Sequence, residues 1–125
     1  MNDPAISRIA DAIAFAEGYF VPGSRPARNN NPGDLERDIT GKGIGFDGPY
    51  VIYATAQDGL AALEHQVRLM FKGSHIYNPG MSIAEIAKHY TFTDSQNWAK
   101  NVAERLGVGV ETTLTEIGRL SNGLA

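Results

Sequence analysis

The stretch Ile6–Leu35, ISRIADAIAFAEGYFVPGSRPARNNNPGDL, decides how this chain is read. It is a helix that ends on an acid and gives way to a polar loop broken by glycine and proline. Ile6, Ala10, Ile13 and Glu17 fall at i, i+4, i+7 and i+11, one face of a 3.6-residue helix. Glu17 therefore continues the apolar stripe instead of opposing it. Gly18, next in the chain, suits the left-handed turn that closes a helix. Partial burial and the negative end of the helix dipole both disfavour a charged Glu17. A carboxyl kept neutral in this way is what a general acid working near neutral pH requires. The plainer alternative is a solvated glutamate in a last helical turn.

Outward from this stretch, Asp3 and Pro4 read as an N-cap followed by proline in the first turn, so the first helix spans about Asp3–Glu17. Tyr19–Asp34 reads as a loop, because Pro22, Gly23, Pro26, Pro32 and Gly33 oppose regular structure. Asn29, Asn30 and Asn31 within it are either turn formers or uncharged donors and acceptors for sugar hydroxyls and acetamides. Ile44–Ala54, IGFDGPYVIYA, reads as a β-hairpin turning at Asp47-Gly48-Pro49. A second helix follows over Ala56–Lys72, with Thr55 and Asp58 resembling a capping box and Leu60, Leu63, Val67 and Met70 or Phe71 facing inward. Ser82 and Glu85 cap a short helix to Tyr90 that turns Ile83, Ile86 and Ala87 inward. After a break at Thr91–Asp94, a helix over Ser95–Leu106 carries Trp98, Val102 and Leu106 and stops at Gly107. Thr113 and Glu116 cap a last helix ending near Leu120, and Ser121–Ala125 is expected to fray. The expected fold class is α+β and mainly helical, one domain over residues 1–125, with a small hairpin beside a cleft.

Composition narrows the function. The 125 residues include 42% hydrophobic and 20% charged side chains, a globular balance and enough chain for one core. The formal net charge is −3 and Lys and Arg are scattered, so nucleic acid is not an expected partner. There is no cysteine, hence no disulfide or thiolate chemistry. The N-terminal run contains acids and lacks a long apolar core or small-residue cleavage site, so it does not read as a secretory signal. No stretch approaches the roughly 20 apolar residues of a membrane span. His65, His75 and His89 lie on separate elements without ligand spacing, so neither a metal nor another cofactor is expected. Gly41, Gly43 and Gly45 lack the strand-to-helix setting of a phosphate loop.

Several segments together resemble phage peptidoglycan-degrading domains of the lysozyme-like superfamily. They are Glu17-Gly18, Arg28–Leu35 (RNNNPGDL), Gly45-Phe46, Tyr53-Ala54-Thr55, Asp58–Leu63 (DGLAAL) and Tyr90–Val102 (YTFTDSQNWAKNV), with Leu106-Gly107-Val108 following. The resemblance runs from about Ile6 to Ile117 and rests on order and spacing. It implies a lysozyme-like fold, cleavage of the β-1,4 bond between N-acetylmuramic acid and N-acetylglucosamine, and Glu17 as general acid. It further implies a monomer acting on glycan strands of cell-wall peptidoglycan, with other virion proteins as further partners. Without a secretory signal, such a protein would be made in the host cytoplasm and delivered by another factor. Two departures stand out: Asp34 replaces the asparagine that follows Pro-Gly in that group, and Thr91-Phe92-Thr93 replaces its Ala-Pro-Pro.

Glycosidic cleavage needs a proton donor and a means of stabilising an oxocarbenium-like transition state. A retaining enzyme uses a second carboxylate about 5 Å away, and an inverting one uses a carboxylate about 6.5–9.5 Å away. Asp34, Asp38 and Asp47 are the candidates, each also an ordinary turn acid, and Asp34 is the foremost. A lytic transglycosylase instead uses one glutamate as acid and then base, and a single placed glutamate suits this chain best. Candidate substrate contacts are Asn30, Asn31, Tyr53, Thr55, Tyr90, Gln96 and Asn97. Thr55 is equally a helix cap, Tyr90 a partner of Glu17 or a half-buried core residue, and Gln96 and Asn97 helix-start caps. The competing classes are a glycan-binding or structural module of the same fold and an unrelated helical protein.

Overall fold

The computed structural model describes residues 3–74 and 76–123. In chain order the elements are α1 (Pro4–Ala16), α2 (Arg25–Arg28), β1 (Gly43–Asp47), β2 (Tyr50–Tyr53), α3 (Ala56–Lys72), α4 (Ile83–Tyr90), α5 (Ser95–Leu106) and α6 (Leu114–Gly123). Helices dominate, and a two-stranded antiparallel sheet completes an α+β architecture.

Helix α1 is the axis. Its N-cap is Asp3, whose Oδ1 accepts from the Ala5 N–H at 2.9 Å, and proline occupies the first turn. The Glu17 N–H donates to Ile13 O, and Gly18 at φ +81° turns the chain out of the helix. Ala5, Ile6, Ile9, Ala10, Ala12, Ile13 and Ala14 are all buried. The apolar surface thus wraps most of the helix, and α3, α5 and α6 pack around it. The many alanines let those neighbours approach closely. Each buried isoleucine contributes about 1.5–3 kcal/mol relative to exposure.

Helix α3 starts and stops as expected, with Thr55 Oγ1 accepting from the Asp58 N–H. Its inward face is Gly59, Ala62, Leu63, Val67 and Met70. Leu60 was expected there but is 42% exposed: glycine and alanine occupy the contact line because the asparagine loop lies close against it. Helix α4 begins with a reciprocal Ser82–Glu85 capping box. Asp94, at φ +49°, caps α5, which Gly107 closes in the left-handed conformation. In α6, Thr113 and Glu116 exchange hydrogen bonds at the start. The helix runs past Leu120, and Ser121 is buried, accepting from Arg8 Nη1 at 2.9 Å. The expectation of fraying from Ser121 is thereby corrected as far as Gly123; residues 124 and 125 lie outside the described residues.

The loop between α1 and the hairpin departs most from expectation. Ser24 caps a short helix, α2, by accepting from the Ala27 N–H, with Pro26 in its first turn. The loop then lies along the outer edge of β2, where the Val51 and Tyr53 N–H groups donate to Leu35 O and Asn29 O. An exposed strand edge is covered in this way. The hairpin turns at Gly48, whose φ of +58° ahead of Pro49 suits a type II′ turn, and a bulge falls between Gly43 and Gly45.

Two apolar clusters result. The larger joins α1, α3, α4, α5 and α6; the smaller contains Leu35, Val51, Tyr53 and Ala62 beneath the hairpin. Tyr90 packs against both.

Candidate functional site

Glu17, at the end of α1, is held against the larger cluster by Trp98. The Trp98 Nε1–H of α5 donates to Glu17 Oε2 at 2.8 Å. The Trp98 ring stacks on Tyr90, with centroids 5.0 Å apart. Tyr90 Oη donates to Gly33 O at 2.8 Å, tying α4 to the residue before Asp34. A Cβ at Gly33 would fall 2.7 Å from both Tyr90 Oη and a Leu63 methyl, so a larger residue there would displace them. On the other side, Ser24 Oγ donates to Gly18 O at 2.7 Å, joining the start of α2 to the turn after Glu17.

Burial pushes the Glu17 carboxyl up from 4.5 to about 7. The Trp98 hydrogen bond opposes this, the Asp34 charge adds to it, and the Arg25 charge opposes it. Glu17 is thus half-protonated near neutrality, the state in which a carboxyl both gives and takes a proton. Tyr90 is pushed well above the usual tyrosine range, first by burial and then by the charge of Glu17. It serves as a neutral hydrogen-bond donor.

Of the three candidate second acids, Asp34 is the one whose charge acts on Glu17. Its side chain is 7% exposed and grips Arg25: Nη2–Oδ2 is 2.6 Å, and Nε lies 3.2 Å from both oxygens. Asp38 instead accepts from the Gly43 N–H through both oxygens and closes the loop before β1. Asp47 accepts from Asn29 Nδ2 at the hairpin turn.

The candidate substrate contacts divide by exposure. Asn31 is fully buried: its Nδ2 donates to Leu35 O and Val51 O, and its Oδ1 accepts from the Leu35 N–H. This corrects its placement on a binding surface, because its amide is consumed internally. Tyr53 is likewise a core residue at 1% exposure and not a surface contact. Asn30, at φ +51°, donates to Tyr53 O and Ala54 O and remains partly exposed. Thr55 is the exposed cap of α3. Tyr90 is the half-buried core residue among its alternatives, packing against both clusters and donating to Gly33 O, while Trp98 is the partner of Glu17. Gln96 and Asn97 are exposed on the first turn of α5, where Asp94 is the cap. The expected break at Thr91–Asp94 presents Phe92 at 91% exposure.

Trp98 and Arg25 were not anticipated as site residues. Trp98 carried a signal, since a buried indole N–H needs an acceptor. Ser24 followed by Pro26 signalled the α2 cap that orients Arg25.

Two larger hollows lie elsewhere. One of about 420 Å³ is bordered by Leu35, Arg37, Gln66, Tyr77, His89 and Tyr90. The other, of about 430 Å³, lies between α1 and α3 beside Phe20, Gln57, Leu60 and Glu64. Glu17 lines neither. Among the described residues no group of three or more His, Cys, Asp or Glu is arranged to hold a metal ion, and no helix is long and apolar enough to cross a membrane; His75 lies outside them. Comparison with protein families, curated proteins and solved structures finds no match to this chain.

Proposed function

We propose that the chain has a lysozyme-like fold and is a peptidoglycan glycosidase, cutting between N-acetylmuramic acid and N-acetylglucosamine by the lytic transglycosylase route. Glu17 gives its proton to the leaving glycosidic oxygen. As a carboxylate it then takes the proton of the muramoyl 6-hydroxyl while O6 bonds to C1, closing a 1,6-anhydro ring. The substrate acetamide stabilises the cationic sugar between these steps. The observation that carries this reading is the half-buried Glu17 carboxyl at the end of α1, held by the Trp98 N–H and pushed by burial up to about 7. Action at the cell wall in company with virion proteins belongs to the same proposal.

The deciding experiment is mass spectrometry of muropeptides released from purified cell wall. Anhydromuropeptides are expected from the wild type, with a loss of roughly a hundredfold or more in Glu17→Gln. Undiminished release by that variant refutes the proposal. Two other readings have their own observations. A muramidase using Asp34 is favoured by the action of the Asp34 charge on Glu17 and would yield reducing ends. A glycan-binding or virion structural module is favoured by the two larger hollows lying away from Glu17, and it would release nothing.

A further inference from the structure

Arg25 projects from the four-residue α2, whose first turn is anchored twice. Ser24 Oγ reaches Gly18 O, and Pro26 is buried. Its guanidinium lies 3.7 Å from the centroid of the Tyr50 ring on β2. The same guanidinium engages both oxygens of Asp34. Asp34 itself sits at φ +49°, directly after the carbonyl that accepts from Tyr90. A carboxylate left 7% exposed needs such a partner, and the bidentate fork fixes its orientation as well as its charge.

We infer that Arg25 is a positioning residue: clamped over Tyr50, it fixes the place and orientation of the Asp34 carboxyl group, making Asp34 a wall of the site and not its second acid. This rests on the reading of Glu17 as the general acid. The charged and titratable groups facing Glu17 are Asp34 from the loop, Arg25 from α2 and Tyr90 from α4, while α5 contributes the uncharged Trp98. The Asp34 anion makes Glu17 hold its proton more tightly, and the Arg25 cation opposes this less strongly. The pair thus adjusts the pH at which the acid is charged, which burial and the Trp98 hydrogen bond chiefly determine, without entering the bond changes.

The test is a carbon-13 NMR titration of the Glu17 side-chain carboxyl in the full chain, alongside the pH profile of glycan cleavage. Asp34→Asn, a residue comfortable at positive φ, is expected to lower the Glu17 midpoint by roughly half a unit or more. In an Arg25→Gln background, where the fork that holds Asp34 is lost, Asp34→Asn is expected to move the Glu17 midpoint by less than about half as much as it does with Arg25 in place. A loss of roughly a thousandfold at every pH in Asp34→Asn would make Asp34 a catalytic acid and overturn the inference. An Asp34→Asn shift of the same size with and without Arg25, or no shift at all, would overturn it too. If Arg25→Gln fails to fold, Asp34→Asn decides alone. The titration is read on folded protein, so a failure of the glycosidase reading, seen as undiminished cleavage by Glu17→Gln, stays distinct.

Discussion

The indole N–H of Trp98 donates to the carboxylate of Glu17 across 81 residues of sequence, at 2.8 Å. This contact joins the end of α1 to the first turns of α5. It also opposes the effect of burial on Glu17, since a donor favours the charged carboxylate.

Replacing Trp98 by Phe keeps an aromatic ring against Tyr90 and removes the donor. The Glu17 midpoint should then rise above about 7, moving the alkaline limb of any Glu17-dependent cleavage to higher pH. A pH profile of muropeptide release tests this; a limb that stays put would mean that another group titrates. Denaturant melts should show a cost of about 1 kcal/mol or more for the lost hydrogen bond and volume.

Glu17→Gln should stabilise the protein in alkaline solution while removing activity. The folded-state value is raised from 4.5 to about 7. Below 4.5 the carboxyl is neutral in both folded and unfolded chains and costs nothing extra. Between 4.5 and 7 the unfolded chain ionises while the native one keeps its proton, so wild-type stability falls as pH rises. Above about 7 the full penalty applies, on the order of 3 kcal/mol at most. Thermal melts of both proteins at pH 5 and pH 8 should show the advantage of the variant growing with pH. An advantage independent of pH would contradict the assignment.

Asn31→Ala should cost roughly 3 kcal/mol or more, because the buried Leu35 N–H loses its acceptor and two carbonyls lose a donor. Asn30→Ala, at a partly exposed position, should cost about 1 kcal/mol. Urea unfolding at constant slope measures both, and equal costs would deny Asn31 its special place.

Gly59→Ala should destabilise, although alanine ordinarily improves a helix interior by about 0.5–1 kcal/mol. The added Cβ would fall 1.7 Å from Asn30 O, forcing the loop away from α3 at a cost of roughly 2 kcal/mol or more. Gly118→Ala in α6 is the control: its Cβ would meet only a Phe71 ring carbon at 3.5 Å, so a small gain is expected. Melting temperatures moving in opposite directions would confirm the close approach.

The sequence alone determined the local structure. Asp3-Pro4, Thr55, the Ser82–Glu85 pair, Gly18 and Gly107 act within a turn of where they stand, so the bounds of most helices and of the hairpin follow from nearby residues. The inward faces of α1, α4 and α5, and the place of Glu17 on the first of them, follow from the same short-range periodicity. Only the tertiary structure decided what meets what. Leu60 is exposed while the neighbouring Gly59 receives the backbone of the asparagine loop. Asn31 is spent on Leu35 and Val51, and Ser121 is held by Arg8. Trp98 and Arg25 belong to the candidate site because α5 and α2 are brought to the end of α1. These outcomes depend on desolvation and on hydrogen bonds that close only when the helices pack, and no spacing along the chain encodes them.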